Sequence, residues 1–164
     1  QLDFTLLRAV DEVNERQKRL MFGRVLEHFG GDVTGKHIAI WGLAFKPRTD
    51  DMREAPSVVL IERLLASGAK ISTHDPEAMH EAKKIFGSRV GYHKVNYDAL
   101  QDADALVLVT EWNEFRRPDF ERMKKLMKSP VIFDGRNVYE PQHMEALGFT
   151  YYSMGRSTVR GKGA

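Results

Sequence analysis

Three basic side chains, Lys46, Arg48 and Arg53, follow the apolar run Ile38-Ala39-Ile40-Trp41, and a fourth, Arg136, follows another such run in Phe133-Asp134-Gly135-Arg136. Cations placed just after strands are suited to binding phosphate. In an α/β sheet, the loop after the first strand lies beside a helix N-terminus, where phosphorylated ligands are commonly held. This loop has one glycine, Gly42, and no Gly-x-Gly-x-x-Gly, so side chains would supply the charge. Lys46 offers a mobile point charge that can reach a pyrophosphate. Phe45 beside it can wall a pocket or present its backbone to a ligand. Arg53 has a planar fork that pairs two phosphate oxygens at once. Alternatively, it pairs with Asp50, Asp51 or Glu54 and only shapes the loop. Gly135 permits a sharp turn, so that Arg136 can point back over the carboxyl ends of the strands.

Other polar residues give weaker signals. Asp75 ends a strand where a dinucleotide-binding domain keeps a ribose-binding acid, but a helix cap before Pro76 explains it equally well. Thr110-Glu111-Trp112 lies at the same sheet edge with no role indicated. Six histidines show no metal-ligand spacing, and there is no Ser-His-Asp set. With no cysteine, disulfides and thiolate metal sites are excluded, and no residue of this chain is expected to be catalytic or to hold a metal.

The elements that must position these residues follow from periodicity. Leu6, Val10, Val13, Leu20, Met21, Val25 and Phe29 recur at helical steps, predicting one helix over 2–29 ended by Gly30-Gly31. At about 1.5 Å per residue it would run roughly 40 Å, more than is needed to cover one sheet face. Strands are predicted at 37–42, 70–74, 89–92, 105–110, 131–134 and 149–153. Helices are predicted at 56–67, 76–86, 98–101, 118–128 and 141–147, several opening on proline. This alternation implies an α/β Rossmann-like three-layer sandwich with a mostly parallel sheet, preceded by the long helix. The expected division is a connecting helix over 1–31, an α/β domain over 32–156 and a flexible tail over 157–164.

At 164 residues, 42% hydrophobic and 29% charged, the composition suits one globular domain with a sizeable core. A net charge of +2 is too small to argue for nucleic acid or a membrane surface, and neither is expected as a partner. The absence of a long apolar run and of a signal-peptide pattern makes a cytoplasmic location the expectation. The start at Gln1, inside a helical pattern, is what an excised piece of a longer chain would show.

Residues 38–57, with His74-Asp75-Pro76, Tyr97-Asp98-Ala99-Leu100, Asp102-Ala103-Asp104-Ala105, Thr110-Glu111-Trp112 and Phe133-Asp134-Gly135-Arg136, resemble the C-terminal domain of the UDP-glucose 6-dehydrogenase family. That family includes GDP-mannose and UDP-N-acetylmannosamine dehydrogenases. The matches run in the family's order from about residue 35 to 155. The resemblance implies that Phe45, Lys46 and Arg136 bind the nucleotide-sugar and that Arg53 faces NAD, held mainly by an N-terminal domain outside this sequence. It implies a homodimer formed through the long helix. The whole enzyme would oxidise the C6 alcohol of UDP-glucose to UDP-glucuronate in two NAD-dependent steps. The second oxidation needs a covalent thiohemiacetal and hence a thiolate, which this chain lacks, so alone it is expected to be inactive. GDP-mannose and UDP-N-acetylmannosamine are the alternative substrates.

Two readings of other classes stand beside this one. A receiver-like domain would need an acidic pair after the first strand, where Gly42-Leu43-Ala44 stands, so it fails. An interaction module on a degenerate dinucleotide fold, binding nothing, stays open to a binding test.

Overall fold

A computed structural model describes residues 5–161. Of the predicted helix over 2–29, residues 2–4 and the side chain of Leu6 lie outside the described residues. So do residues 162–164 of the expected tail. The chain runs α1 (Thr5–His28), β1 (His37–Trp41), α2 (Pro56–Ala66), β2 (Lys70–His74), α3 (Met79–Phe86), β3 (Gly91–Tyr92), β4 (Ala105–Leu108), α4 (Phe120–Leu126), β5 (Val131–Asp134), α5 (Pro141–Ala146) and β6 (Thr150–Ser153). Short 3₁₀ turns cover Asn96–Leu100 and Asn113–Phe115. Six strands pair in parallel in the order β3-β2-β1-β4-β5-β6, the arrangement of a dinucleotide-binding fold, and the strand order reverses beside β1.

Successive strand side chains point to opposite faces, and both faces are covered. Ile38 and Ile40 pack toward α1, α2 and α3 with Val25, Leu64 and Phe86. Ala39 and Trp41 pack the other way, among Phe115, Met123, Met144 and Tyr151. The result is the three-layer sandwich expected from the sequence. Trp41 is fully buried, stacks on Phe115 at 5.0 Å and donates Nε1–H to Asn96 O at 2.9 Å, so its one polar atom is satisfied.

Two boundaries moved for identifiable reasons. The third helix begins at Met79 instead of Pro76, because Glu77 and Ala78 first donate their N–H groups to the Asp75 carboxylate. The third strand shrinks to two residues, since Arg89 turns away to a fork-to-fork pair with Glu62 at 2.6 and 2.7 Å. The apolar pattern of the first helix also divides. Met21 and Val25 enter the core, whereas Val10, Val13 and Leu20 stay exposed.

Over part of the stretch expected to be a flexible tail, the chain is tied to the sheet. Val159 and Tyr151 exchange backbone hydrogen bonds of 2.9 and 3.1 Å in an antiparallel bridge, and Gly161 N donates to Phe149 O at 3.0 Å. One apolar residue in this stretch suffices, because Val159 packs into the cluster around Tyr151.

Gly42 ends β1 at φ +89°, and a Cβ there would lie 2.6 Å from both the backbone nitrogen and Cβ of Thr110. Gly42→Ala is therefore expected to destabilise the fold by about 2 kcal/mol or more through left-handed strain and overpacking. Urea denaturation checks this, and an unchanged midpoint would show that the β1 turn yields freely.

Candidate functional site

The carboxyl edge of the sheet is organised by two buried aspartates. Asp75, at the end of β2, is 1% exposed. Its Oδ2 accepts from Leu43 N at 2.6 Å, Ala44 N at 3.1 Å and Trp112 Nε1 at 3.1 Å. Its Oδ1 accepts from Glu77 N and Ala78 N at 2.9 and 2.8 Å. Of the two roles open to Asp75, the structure shows capping of the chain ahead of α3, extended to a clamp on the β1 loop. The carboxylate thus occupies the backbone N–H groups that would otherwise face a ligand anion. Thr110 Oγ1 donates to Ala44 O at 2.6 Å from the loop after β4, closing the clamp.

Asp134 does the same at the end of β5. Its oxygens accept from Arg136 N at 2.8 Å, Val138 N at 2.7 Å, Tyr139 N at 3.2 Å and the Tyr151 hydroxyl at 2.8 Å. Burial first, and then the Asp134 charge, push the Tyr139 and Tyr151 hydroxyls well above the ordinary tyrosine range, so both act only as neutral donors. Gly135 is needed for close approach, because a Cβ would sit 3.0 Å from Leu108 O. In this turn the left-handed residue is Asn137.

Held this way, Arg136 projects beside Glu111. Its Nε and Nη2 pair with the two Glu111 oxygens, the Nη2–Oε1 distance being 2.7 Å. The Arg136 hydrogen bonds lower the Glu111 carboxyl below the usual carboxylate range. This side-on pairing uses one edge of the guanidinium and leaves Nη1 for another acceptor.

Phe45 and Arg136 lie on one cleft of about 910 Å³, between the carboxyl ends of the strands and α1. From α1 come Asn14, Gln17, Lys18 and Met21, and Lys18 Nζ bonds Glu54 Oε2 on the facing loop at 2.7 Å. Phe45 is 53% exposed at this cleft. Lys46 and Arg53 stand outside its lining. Arg53 forms the acid pair that the sequence left open, with Nε and Nη2 bonding the Asp51 oxygens at 3.0 and 2.8 Å. Those bonds, with the Arg53 backbone N–H, hold the Asp51 carboxyl down to about 2. Lys46 is exposed and near enough to add a smaller lowering there. Sequence reasoning thus brought together Phe45 and Arg136 but missed Glu111, Asp134 and the α1 wall. A carboxylate closing an apolar strand, Val131 to Asp134, was the available sign of the Asp134 clamp. Nothing local marks Glu111 as the partner of a residue 25 positions away.

Among the described residues there is no cluster of three or more His, Cys, Asp or Glu placed to hold a metal, and no helix is long and apolar enough to cross a membrane.

The family model described as UDP-glucose/GDP-mannose dehydrogenase family, UDP binding domain, matches residues 39–141. Among curated proteins, a UDP-glucose 6-dehydrogenase of Pseudomonas aeruginosa is 47% identical over 159 residues, covering 94% of this chain and 35% of the relative. Among solved structures, a UDP-D-ManNAc dehydrogenase from Pyrococcus horikoshii superposes with a TM-score of 0.76 at 30% identity, over 95% of this chain and 35% of that one. A UDP-glucose dehydrogenase from Pyrobaculum islandicum gives 0.74 at 33% identity, over 84% and 30%. The chain spans about a third of the length of the curated relatives it matches.

Proposed function

From a chain that belongs to the UDP-glucose/GDP-mannose dehydrogenase family, in the region of its UDP binding domain, we infer the nucleotide-sugar half of a dehydrogenase active site. The observation that carries this reading is the convergence of Phe45 and Arg136 on one cleft at the carboxyl edge, where α/β sheets bind ligands. Arg136 presents Nη1 to a phosphate oxygen while Glu111 fixes its other edge. Phe45 covers the cleft mouth, and Lys46, on the same loop, supplies a mobile charge to the pyrophosphate. Arg53 serves the cofactor side by exchanging Asp51 for a phosphate of NAD. UDP-glucose is the proposed substrate, supported by the 47% identical relative. GDP-mannose and UDP-N-acetylmannosamine are the alternatives, the latter favoured by the likeness to the UDP-D-ManNAc dehydrogenase.

In the whole enzyme, bound NAD would supply the hydride acceptor for two oxidations at the sugar C6. The second requires a thiolate to hold the aldehyde. This chain contains no cysteine, so its contribution is binding and orientation of the nucleotide end. The exposed Val10, Val13 and Leu20 on α1 favour a homodimer contact along that helix.

Titration of this chain with UDP, UDP-glucose, GDP-mannose and NAD, followed by calorimetry or amide shifts, tests the proposal. UDP is expected to bind saturably and more tightly than GDP-mannose, about tenfold more weakly in Lys46→Ala, and more weakly at high salt. No reduction of NAD by UDP-glucose is expected. If none of these ligands binds, the interaction-module reading stands instead.

A further inference from the structure

A second cleft, of about 940 Å³, opens at the opposite edge of the sheet, at the amino ends of β5 and β6. Backbone alternation builds it. Tyr151 and Val159 turn into the core around α4 and α5, so their neighbours Thr150, Tyr152, Thr158 and Arg160 turn to the α1 side and line the cleft. Arg24, Glu27 and His28 face them from the last turns of α1, and Lys128 and Ser129 close the rim before β5.

The charge is one-sided. Arg24, Lys128 and Arg160 stand against a single lining acid, Glu27. Arg160 has no ion-pair partner among the described residues. Lys128 reaches Asp104 only at 3.8 Å, and Arg24 Nη1 donates to a neutral acceptor, Ser153 O. Thr150 is 4% exposed, and its hydroxyl has no hydrogen-bond partner among the described residues. That hydroxyl stays accessible in the cleft, and beside guanidinium groups that meet no carboxylate it offers an anion a further donor. His28 Nδ1 and the Tyr152 hydroxyl, 2.9 Å apart, form the floor. Burial, then the charges of Arg160 and Lys36, lower the His28 pKa, as a positive local potential requires.

We propose that this amino-edge cleft is a second anion site, taking a ligand that carries a phosphoryl group. Forked cations on opposite walls and hydroxyls between them offer more donors than a carboxylate can accept, which suits the several oxygens of a phosphoryl group. The volume leaves room for the body of a phosphorylated ligand. Nothing in the carboxyl-edge cleft takes part, so the proposal stands apart from the nucleotide-sugar reading.

The test is an amide-shift titration of the ¹⁵N-labelled chain at low ionic strength with orthophosphate, inorganic pyrophosphate and UDP. Pyrophosphate should shift Ser129, Thr150, Tyr152 and Arg160 saturably, and the double variant Lys128→Ala/Arg160→Ala should raise its dissociation constant at least about tenfold. UDP binding at Phe45 and Arg136 should be unchanged in that variant, whose preserved spectrum outside the cleft shows that it folds. Orthophosphate binding equal to that of pyrophosphate would assign the site to a free ion, and tighter pyrophosphate binding to a larger phosphorylated ligand. Shifts that do not saturate, that saturate equally in the double variant, or that centre on Gly135 and Arg136 would overturn the proposal.

Discussion

Asp75→Ala is expected to destabilise the fold by about 3–5 kcal/mol. The substitution leaves five donors without their acceptor: the N–H groups of Leu43, Ala44, Glu77 and Ala78, and the indole of Trp112. Each buried donor left unsatisfied costs about 1–3 kcal/mol. Those nearer the surface recover part of this from water, because Glu77 is exposed while Leu43 and Ala44 are buried. With total stabilities of about 5–15 kcal/mol usual for such domains, a loss of this size leaves little margin. Asp75→Asn should also destabilise, because one of its two polar atoms becomes a donor facing donors. Denaturant titrations of both variants check this, and a change below about 1 kcal/mol in Asp75→Ala would mean that the clamp contributes nothing net. UDP affinity should fall with it, since the same carboxylate positions the backbone leading into Phe45.

Arg136→Ala is expected to leave the fold nearly intact and to weaken UDP binding about ten- to a hundredfold. A hydrogen bond from a charged donor to phosphate contributes about 1.5–3 kcal/mol, and each 1.4 kcal/mol is tenfold in affinity. The partly exposed pair with Glu111 is worth about 1 kcal/mol or less to stability. The Glu111 pKa is depressed in the folded state, chiefly by Arg136. The stability contributed by the pair is therefore fully present at neutral pH and is lost only as pH falls through that depressed value, below the ordinary carboxylate range. Calorimetry against UDP separates the two effects: unchanged affinity in Arg136→Ala would remove this residue from the site.

Periodicity was enough to place the layers. The fully apolar Ile38–Trp41 and Ala105–Leu108 could be satisfied only by helices on both faces, and that is where they lie. Helix starts at Pro56 and Pro141 also read directly, because proline at a first turn states its own geometry. What the chain did not disclose were contacts set by strand order. Asp75 meets Trp112, and Arg136 meets Glu111, only because β4 lies between β1 and β5. Local composition misled at the chain's end. Ser157 to Gly161 read as tail because one valine seemed too little to hold it, whereas the bonds that tie it down are backbone bonds, which no side-chain pattern reports.

Every open sheet has two outer strands, each with a row of unpaired amide and carbonyl groups that another chain could extend. Here one outer strand, β3, is two residues long, too short to template an addition. The other, β6, has its outward groups at Tyr151 already taken by Val159. The bridge that walls the amino-edge cleft therefore also guards the molecule against edge-to-edge growth. Loosening it would expose a strand whose next partner could be another copy of the same sheet.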